Sequence, residues 1–386
     1  MKKSKLVRIG IALCISVLCL YTSVAAYYIV VRKHTLKEWI TFSTSPDRIK
    51  RKATDRLGLP PRRWNRSGEW YRYPQNPVLT IGSKDSWDEG TAGFASVIKD
   101  DDNFKMYYSG RNSNQKQGQI GLAISNDGKN WFKMDSPIVK LGQPGSWDDT
   151  MIWCPMVWKE TLYHMIYTGY DSARIIQIGY ATSTDGIHWT KSDSNPVFND
   201  STWAHNHTEG CGVIKVEDTY LLWYNTLGVT PRQLCVAVSK DLLKWLPYKN
   251  TPVFSSMQET DRYNQFCAFP FRYAKVYYLI VTSQESSNNW GAFYLYRCKN
   301  PYFEPEDREC AGRILLPGHF LDWDDHDIDT PALLTLDITR NTFYKDSLWL
   351  YYSGEGGDNR WKVGLLIESN IQQCLQMPHQ TRQIEK

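Results

Sequence analysis

The chain reads as an all-β protein, a five-bladed β-propeller preceded by a single N-terminal transmembrane helix. Three observations carry that reading: an anchor tryptophan that recurs in a fixed register, short alternating strands bounded by turn signals, and one long uncharged run near the N-terminus. Trp87, Trp147, Trp203 and Trp323 each precede a branched residue or Leu by ten positions, at Val97, Val157, Val213 and Leu333.

The uncharged run is Ile9 to Val31, 23 residues, long enough to span a bilayer. Lys2, Lys3, Lys5 and Arg8 precede it and favour a cytoplasmic N-terminus, while Arg32, Lys33 and Lys37 reduce the asymmetry. An uncleaved anchor is the favoured reading, because the run exceeds a usual signal-peptide core; a signal peptide ending near Ala25 or Ala26 is the alternative. The chain thus divides into a basic tail (1–8), the anchor (9–31), a basic stem (32–72), the propeller (73–371) and a C-terminal tail (372–386). The expected placement is a single-pass type II membrane protein with the propeller on the lumenal or extracellular side, or else a secreted protein.

Each propeller unit follows one plan. The first reads WDEGTAGFASVIKDDDNFKMYYSG from Trp87, then IGLAISNDGKNW from Ile120. The second reads WDDTMIWCPMVWKETLYHMIYTG from Trp147, then IGYATSTDGIHW from Ile178. The third runs from Trp203 and continues with LCVAVSKDLLKW from Leu234. Period-2 alternation rich in Val, Ile and Tyr, cut by Asp-Gly and Asn turns, is strand text. The gap between Trp203 and Trp323 holds one further unit, with strands expected at Gln265–Phe271, Val276–Thr282 and Ala292–Cys298. The last starts at Trp323 and ends on Val363–Ile367. A period near 60 residues indicates radially arranged supersecondary units.

Charge is unevenly divided. Residues 1 to 66 hold 15 Lys or Arg against 3 Asp or Glu, leaving 30 against 38 in the remainder. The propeller is therefore acidic, which argues against a nucleic-acid partner. Metal-type CxxC spacing is absent and no cofactor is expected, with a structural or catalytic-site cation such as calcium, held by His207, His326 and the neighbouring acids, as the alternative to loop histidines bonded to backbone. Cys298 and Cys310 flank a loop and form a candidate disulfide for an oxidising compartment. Sequons at Asn65, Asn199 and Asn206 suggest glycosylation.

Residues that recur in register belong to the fold; those that appear selectively are candidates for chemistry. Asp follows the anchor Trp three times (Asp88, Asp148, Asp324), which suits a turn or cap. Six residues after the Trp the occupants are Gly93, Trp153, Glu209 and Asp329, each expected at the start of an innermost strand, where residues of different blades converge on one funnel. Glu209 and Asp329 are the candidate catalytic pair, with Glu89 and Asp149 as alternatives for the second carboxylate. His205, His207, Asp327 and the aromatics Trp153, Trp203, Tyr170, Trp290 and Trp361 are candidate sugar contacts, since flat apolar faces with polar edges suit sugar rings. Arg111 and Arg174 follow the YSG and YTG turns and are candidate phosphate contacts.

From about Asn76 to Ile367 the chain resembles the five-bladed propeller glycoside hydrolases, the superfamily that includes families 43, 32, 62, 68 and 130. The text that carries the resemblance is NPVL (Asn76–Leu79), KMYYSG (Lys105–Gly110), IGYATSTDGIHWTK (Ile178–Lys191) and NPVF (Asn195–Phe198). The resemblance implies acidic residues contributed by several blades, with the general acid in a Glu-Gly-Pro or Glu-Cys-Pro motif. Glu209-Gly210-Cys211 is similar to that motif, so the acid role falls to Glu209. Two departures stand out. Gly93, Phe94 and Ala95 occupy the stretch where families 43 and 32 carry an Asp, and blade two keeps Pro155 without an acid. The expected function is cleavage of an oligo- or polysaccharide glycosidic bond by two carboxylates, one acting as acid and one as base or nucleophile. Phosphorolysis or transglycosylation is one alternative, and a non-catalytic carbohydrate-binding propeller is the other.

Overall fold

In a computed structural model, residues 70–113, 117–227, 229–255, 264–284, 291–318 and 322–375 are described. They build five antiparallel four-stranded units. Blade one holds β2 (Thr91–Asp100), β3 (Asn103–Arg111), β4 (Gly118–Ser125) and β5 (Phe132–Lys133). Blade two holds β6 (Met151–Lys159), β7 (Tyr163–Tyr170), β8 (Ile176–Ser183) and β9 (Thr190–Lys191). Blade three holds β10 (Thr208–Val216), β11 (Thr219–Thr226), β12 (Leu234–Ser239) and β13 (Leu246–Pro247). Blade four holds β14 (Asn264–Tyr273), β15 (Val276–Gln284), β16 (Ala292–Cys298) and β17 (Glu309–Leu315). Blade five holds β18 (Asp327–Leu333), β19 (Leu348–Glu355) and β20 (Trp361–Glu368), and its fourth strand is β1 (Tyr71–Arg72) from the other end of the domain. The first strands pack on one another in a closed ring, β2 on β6, then β10, β14, β18 and back to β2.

The anchor tryptophan is a packing device. The indoles of Trp87, Trp147 and Trp323 lie over paired glycines of the second and third strands, Gly110 with Gly121, Gly169 with Gly179, and Gly354 with Gly364. A Cβ on Gly110 would come within 2.2 Å of the Trp87 ring. Each indole also packs on the Tyr of the second strand, at 5.6 Å for Trp87 on Tyr108. Blade three has Thr226 and Cys235 at the two glycine positions, and Trp203 packs instead against the core between blades two and three.

The Asp after the anchor Trp is structural, as its recurrence suggested. Asp88 accepts hydrogen bonds from Tyr108 Oη at 2.9 Å and Lys133 Nζ at 2.6 Å, stapling the Trp loop to the second and fourth strands. Asp148 repeats this with Tyr167 and Lys191, and Asp324 with Tyr352 and Arg72. In blade three Asp200 takes over, accepting from Tyr224 Oη at 2.8 Å.

A second device links blades. Each innermost strand carries a β-bulge near its start. In three blades the bulged residue, Phe94, Cys154 or Thr330, has a left-handed backbone with φ near 50°. The backbone N–H of Phe94 donates to Ser353 Oγ at 2.6 Å, that of Cys154 to Ser109 Oγ at 3.0 Å, and that of Gly210 to Thr168 Oγ1 at 3.1 Å. The YSG and YTG segments, expected as turns, lie within the second strands, and the hydroxyl of each satisfies a bulge donor of the following blade that would otherwise be buried unpaired.

Several expectations need amendment. Tyr71 and Arg72, read as stem, are the closing strand: Tyr71 pairs with Ile367 and Arg72 with Leu366. The expected C-terminal tail begins with the short helix α1 (Ile371–Leu375), whose Ile371, Cys374 and Leu375 are buried against blades four and five. Cys298 and Cys310 form no disulfide, because the ladder sets Cys310 across from Tyr296. The expected anchor Ile9–Val31, the stem up to Glu69, Asn65 and Trp290 lie outside the described residues. Among those described, no helix is long and apolar enough to cross a membrane.

Candidate active site

The bulges at the start of the ring strands re-aim side chains toward the propeller axis, and the selective residues of the tryptophan register gather there. Glu209, 9% exposed, sits on β10 opposite Asn225 of β11. Asn225 Nδ2 donates to Glu209 Oε2 at 2.7 Å, while Tyr170 Oη at 3.4 Å and the Cys154 thiol at 3.8 Å donate to Oε1. Burial and the Glu209 charge push the Cys154 thiol well above its ordinary value, so it serves as a protonated donor and not as a thiolate nucleophile. The Tyr170 phenol is likewise pushed up, by burial first and then by Glu209.

Asp329 enters from β18, two blades away. Burial, then the charge of Asp327, and also that of Glu209, push its carboxyl up to about 7, against the opposing pull of its Thr330 N–H bond and of Arg232. Asp327, expected to touch substrate, starts the same strand and faces Glu355 across the ladder. Its Oδ1 accepts from the backbone N–H of Gly291 at 2.8 Å and of Ile328 at 2.9 Å. Burial raises Asp327 to about 6, and burial together with Asp358 raises Glu355 to about 7. Three carboxyls at the mouth of blade five are therefore held toward their neutral forms.

At the bulge of β2, Phe94 lies between Trp153 at 5.1 Å and Trp361 at 5.0 Å between ring centroids. This aromatic shelf fills the blade-one position where the resembling families place an Asp. Gly93 leaves room for it: a Cβ there would lie 3.2 Å from Trp361 Cβ.

Other expected residues stay outside this centre. Glu89 and Asp149 cap their own Trp loops, accepting the backbone N–H of Asp85 at 2.5 Å and of Gly145 at 2.7 Å. Arg111 and Arg174 are exposed. The cation whose charge reaches Asp329 and Tyr170 is instead Arg232, which lies over the Phe266 ring at 4.9 Å. His205 is exposed, and His207 Nδ1 is bonded to the His205 carbonyl at 2.8 Å, which ties the His207 ring into the rim loop of blade three. Trp203 is committed to packing, as described above. Among the described residues no group of three or more His, Cys, Asp or Glu side chains is disposed around a metal-sized point.

Asn225 and Arg232 are the residues that sequence reasoning missed. Asn225 had a signal: it stands where Ser109, Thr168 and Ser353 carry the bulge-binding hydroxyl, so it breaks a repeat just as Glu209 does. Arg232 had none, since it leads into a third strand and only the folding of that strand turns it inward.

No known protein-family profile matches the chain. Uncharacterized proteins from two strains of Mycobacterium tuberculosis are 28% identical over 185 residues, 45% of this chain and 60% of theirs. The chain thus spans less than two thirds of the curated relatives it matches. A 1,2-β-oligomannan phosphorylase of Thermoanaerobacter sp. is 24% identical over 122 residues, 29% of this chain and 41% of that protein. Among solved structures, a glycosyl hydrolase from Bacteroides ovatus aligns with a TM-score of 0.58 at 16% identity, covering 78% of this chain and 93% of that one. A structure from the GH130 family of mannoside phosphorylases, which contains hydrolases of β-1,2 mannosidic linkages in Candida mannan, aligns with 0.59 at 18% identity, covering 78% and 94%. The catalytic domain of a Coprinopsis cinerea GH62 α-L-arabinofuranosidase aligns with 0.58 at 15% identity, covering 79% and 98%. The chain has the fold of the propeller glycoside hydrolases.

Proposed function

We propose that this chain is a carbohydrate-active enzyme that cleaves a glycosidic bond at the Glu209–Asp329 centre. The observation that carries the reading is the convergence of two carboxyls from non-neighbouring blades, one of them held near 7 by burial first, then by Asp327, with a smaller push from the other. Glycosidic cleavage needs a carboxylic acid to protonate the leaving oxygen and a carboxylate to assist attack. In our reading Asp329 supplies the proton. Glu209, whose oxygens both accept hydrogen bonds, is the carboxylate partner, the reverse of the role the motif resemblance implied. Phe94, Trp153 and Trp361 take the apolar face of the sugar ring.

Phosphorolysis is the second reading, favoured by Arg232 beside the acids and by the similarity to an oligomannan phosphorylase. A panel of oligosaccharides including β-1,2-linked mannosides, incubated with and without inorganic phosphate, separates the two. Free reducing sugar made without phosphate indicates hydrolysis, and a sugar 1-phosphate made only with phosphate indicates phosphorolysis. Glycan binding without turnover of any ligand would leave a carbohydrate-binding propeller. We further propose that Ile9–Val31 tethers the enzyme to a membrane with the propeller lumenal or extracellular. Protease protection of the propeller in sealed vesicles tests that placement.

A further inference from the structure

The loop between β18 and β19 folds across the end of the ring remote from the carboxyls. Lys215 N–H donates to the Ile338 carbonyl at 3.1 Å and Arg272 N–H to the Arg340 carbonyl at 3.0 Å, so the loop is pinned to blades three and four. It inserts Arg340, only 4% exposed, toward the axis. The guanidinium stacks over the Phe269 ring at 4.4 Å, with Nε donating to the Val213 carbonyl at 2.8 Å and Nη1 to Thr335 Oγ1 at 3.0 Å. Among the described residues Nη2 has no protein acceptor, and no carboxylate lies within ion-pair distance of this side chain. Asp337, on the same loop, is the one acid whose charge Arg340 feels, and its Oδ1 is engaged by the Thr339 hydroxyl.

Arg340 borders a small axial cavity bounded by the bulges of the ring strands, with Ser96, Cys154, Cys211, Phe269 and Thr330 on its walls and room for about one water-sized particle. Ser96 Oγ already accepts the Val157 N–H at 3.0 Å, which leaves its hydroxyl hydrogen to donate. A buried guanidinium without a counter-charge in contact is costly. Water in the cavity would satisfy a donor but leave the charge unbalanced, whereas an anion satisfies the donor and balances the charge. The rest of the wall is mostly apolar, from Ala95, Pro155, Met156, Pro331 and Ala332. Phosphate or sulfate would exceed the space and lack donors, while a weakly hydrated halide fits a cation, one hydroxyl and apolar walls.

We propose that the axial cavity is a halide site, in which Arg340 and Ser96 hold a chloride-sized anion that locks the β18–β19 loop under the ring. Cys154 and Thr330 on the cavity wall also bond Glu209 and Asp329, so the cavity backs onto the proposed catalytic pair, but Arg340 itself bonds neither carboxyl and the test does not depend on turnover. Thermal unfolding of the full chain is followed in chloride, bromide and gluconate at constant ionic strength. Chloride and bromide should raise Tm saturably by roughly 2–4 °C and gluconate should not, as expected for a ligand of the folded state alone. Arg340→Met should lose the shift. Should that variant not fold, bromide-soaked wild-type crystals decide, with an anomalous peak expected within hydrogen-bonding distance of Arg340. The inference is overturned if wild type shows no halide-specific shift and no axial bromide, or if Arg340→Met keeps the full shift.

Discussion

Glu209 and Asp329 differ in what surrounds them, and the difference sets what each replacement should do. Glu209 is ringed by the donors of Asn225, Tyr170 and Cys154. Glu209→Gln keeps the shape and removes the charge, so kcat should fall by roughly 10²–10⁴ with Tm little changed, the range general acid–base groups contribute. Undiminished turnover would remove Glu209 from the mechanism. Asp329 is raised to about 7, so the protonated form dominates below that pH. If it donates the proton, activity on a fixed substrate falls as pH rises through about 7, and Asp329→Asn is inactive across the range. A basic limb unchanged in a partly active Asp329→Asn enzyme would assign it to another group. Phe94→Ala opens the shelf between Trp153 and Trp361 and should raise KM more than it lowers kcat.

At the level of the element, the blade is held by the Trp–Asp–Tyr–Lys staple. Asp88→Ala leaves the buried Tyr108 hydroxyl without its acceptor and the Lys133 ammonium with the Thr80 carbonyl but no counter-charge. We expect a loss of about 2–3 kcal/mol in chemical unfolding, with the KM of the folded enzyme retained, since Asp88 does not touch the centre. The mouth of blade five carries the opposite kind of electrostatics. Asp327, Asp329 and Glu355 have folded-state pKa values raised to about 6, 7 and 7, above their unfolded values near 4. The folded chain therefore binds more protons than the unfolded one between those limits, so these groups favour folding at low pH and that contribution is lost as pH rises from about 4 to about 7. Glu355→Gln should flatten part of this slope in a pH series of Tm values, and an unchanged slope would exclude Glu355 from it. Strand positions were readable in sequence because alternation and turn chemistry are local: the expected strands of blade four fall within β14 and β15 and coincide with β16.

For the whole molecule, closure is the property that local text did not reveal. Blade five is completed by β1, whose Arg72 bonds Asp324 and Tyr352 and whose Tyr71 N–H bonds Glu368. A chain truncated to begin at Tyr73 should have a lower Tm than one beginning before Trp70 and should aggregate sooner, because β20 becomes an open edge. Equal stability of the two would reject the closing strand. Two residues of strand, separated from their partner by almost 300 positions, leave no periodicity to read, and the basic composition around them pointed to a stem. By itself the sequence determined the repeat, the five units, the recurrence of Asp after three of the anchor tryptophans, and the selectivity of Glu209 and Asp329, because repetition separates what every blade needs from what one blade adds. Only the tertiary structure decided that Glu209 and Asp329 share one electrostatic centre, that Glu89 and Asp149 cap their own loops, that Arg232 and not Arg111 faces the acids, and that a buried Arg340 closes the far end of the ring. Those outcomes depend on which way the bulged strands turn their side chains around a common axis, and that direction is fixed by contacts between blades far apart in the chain.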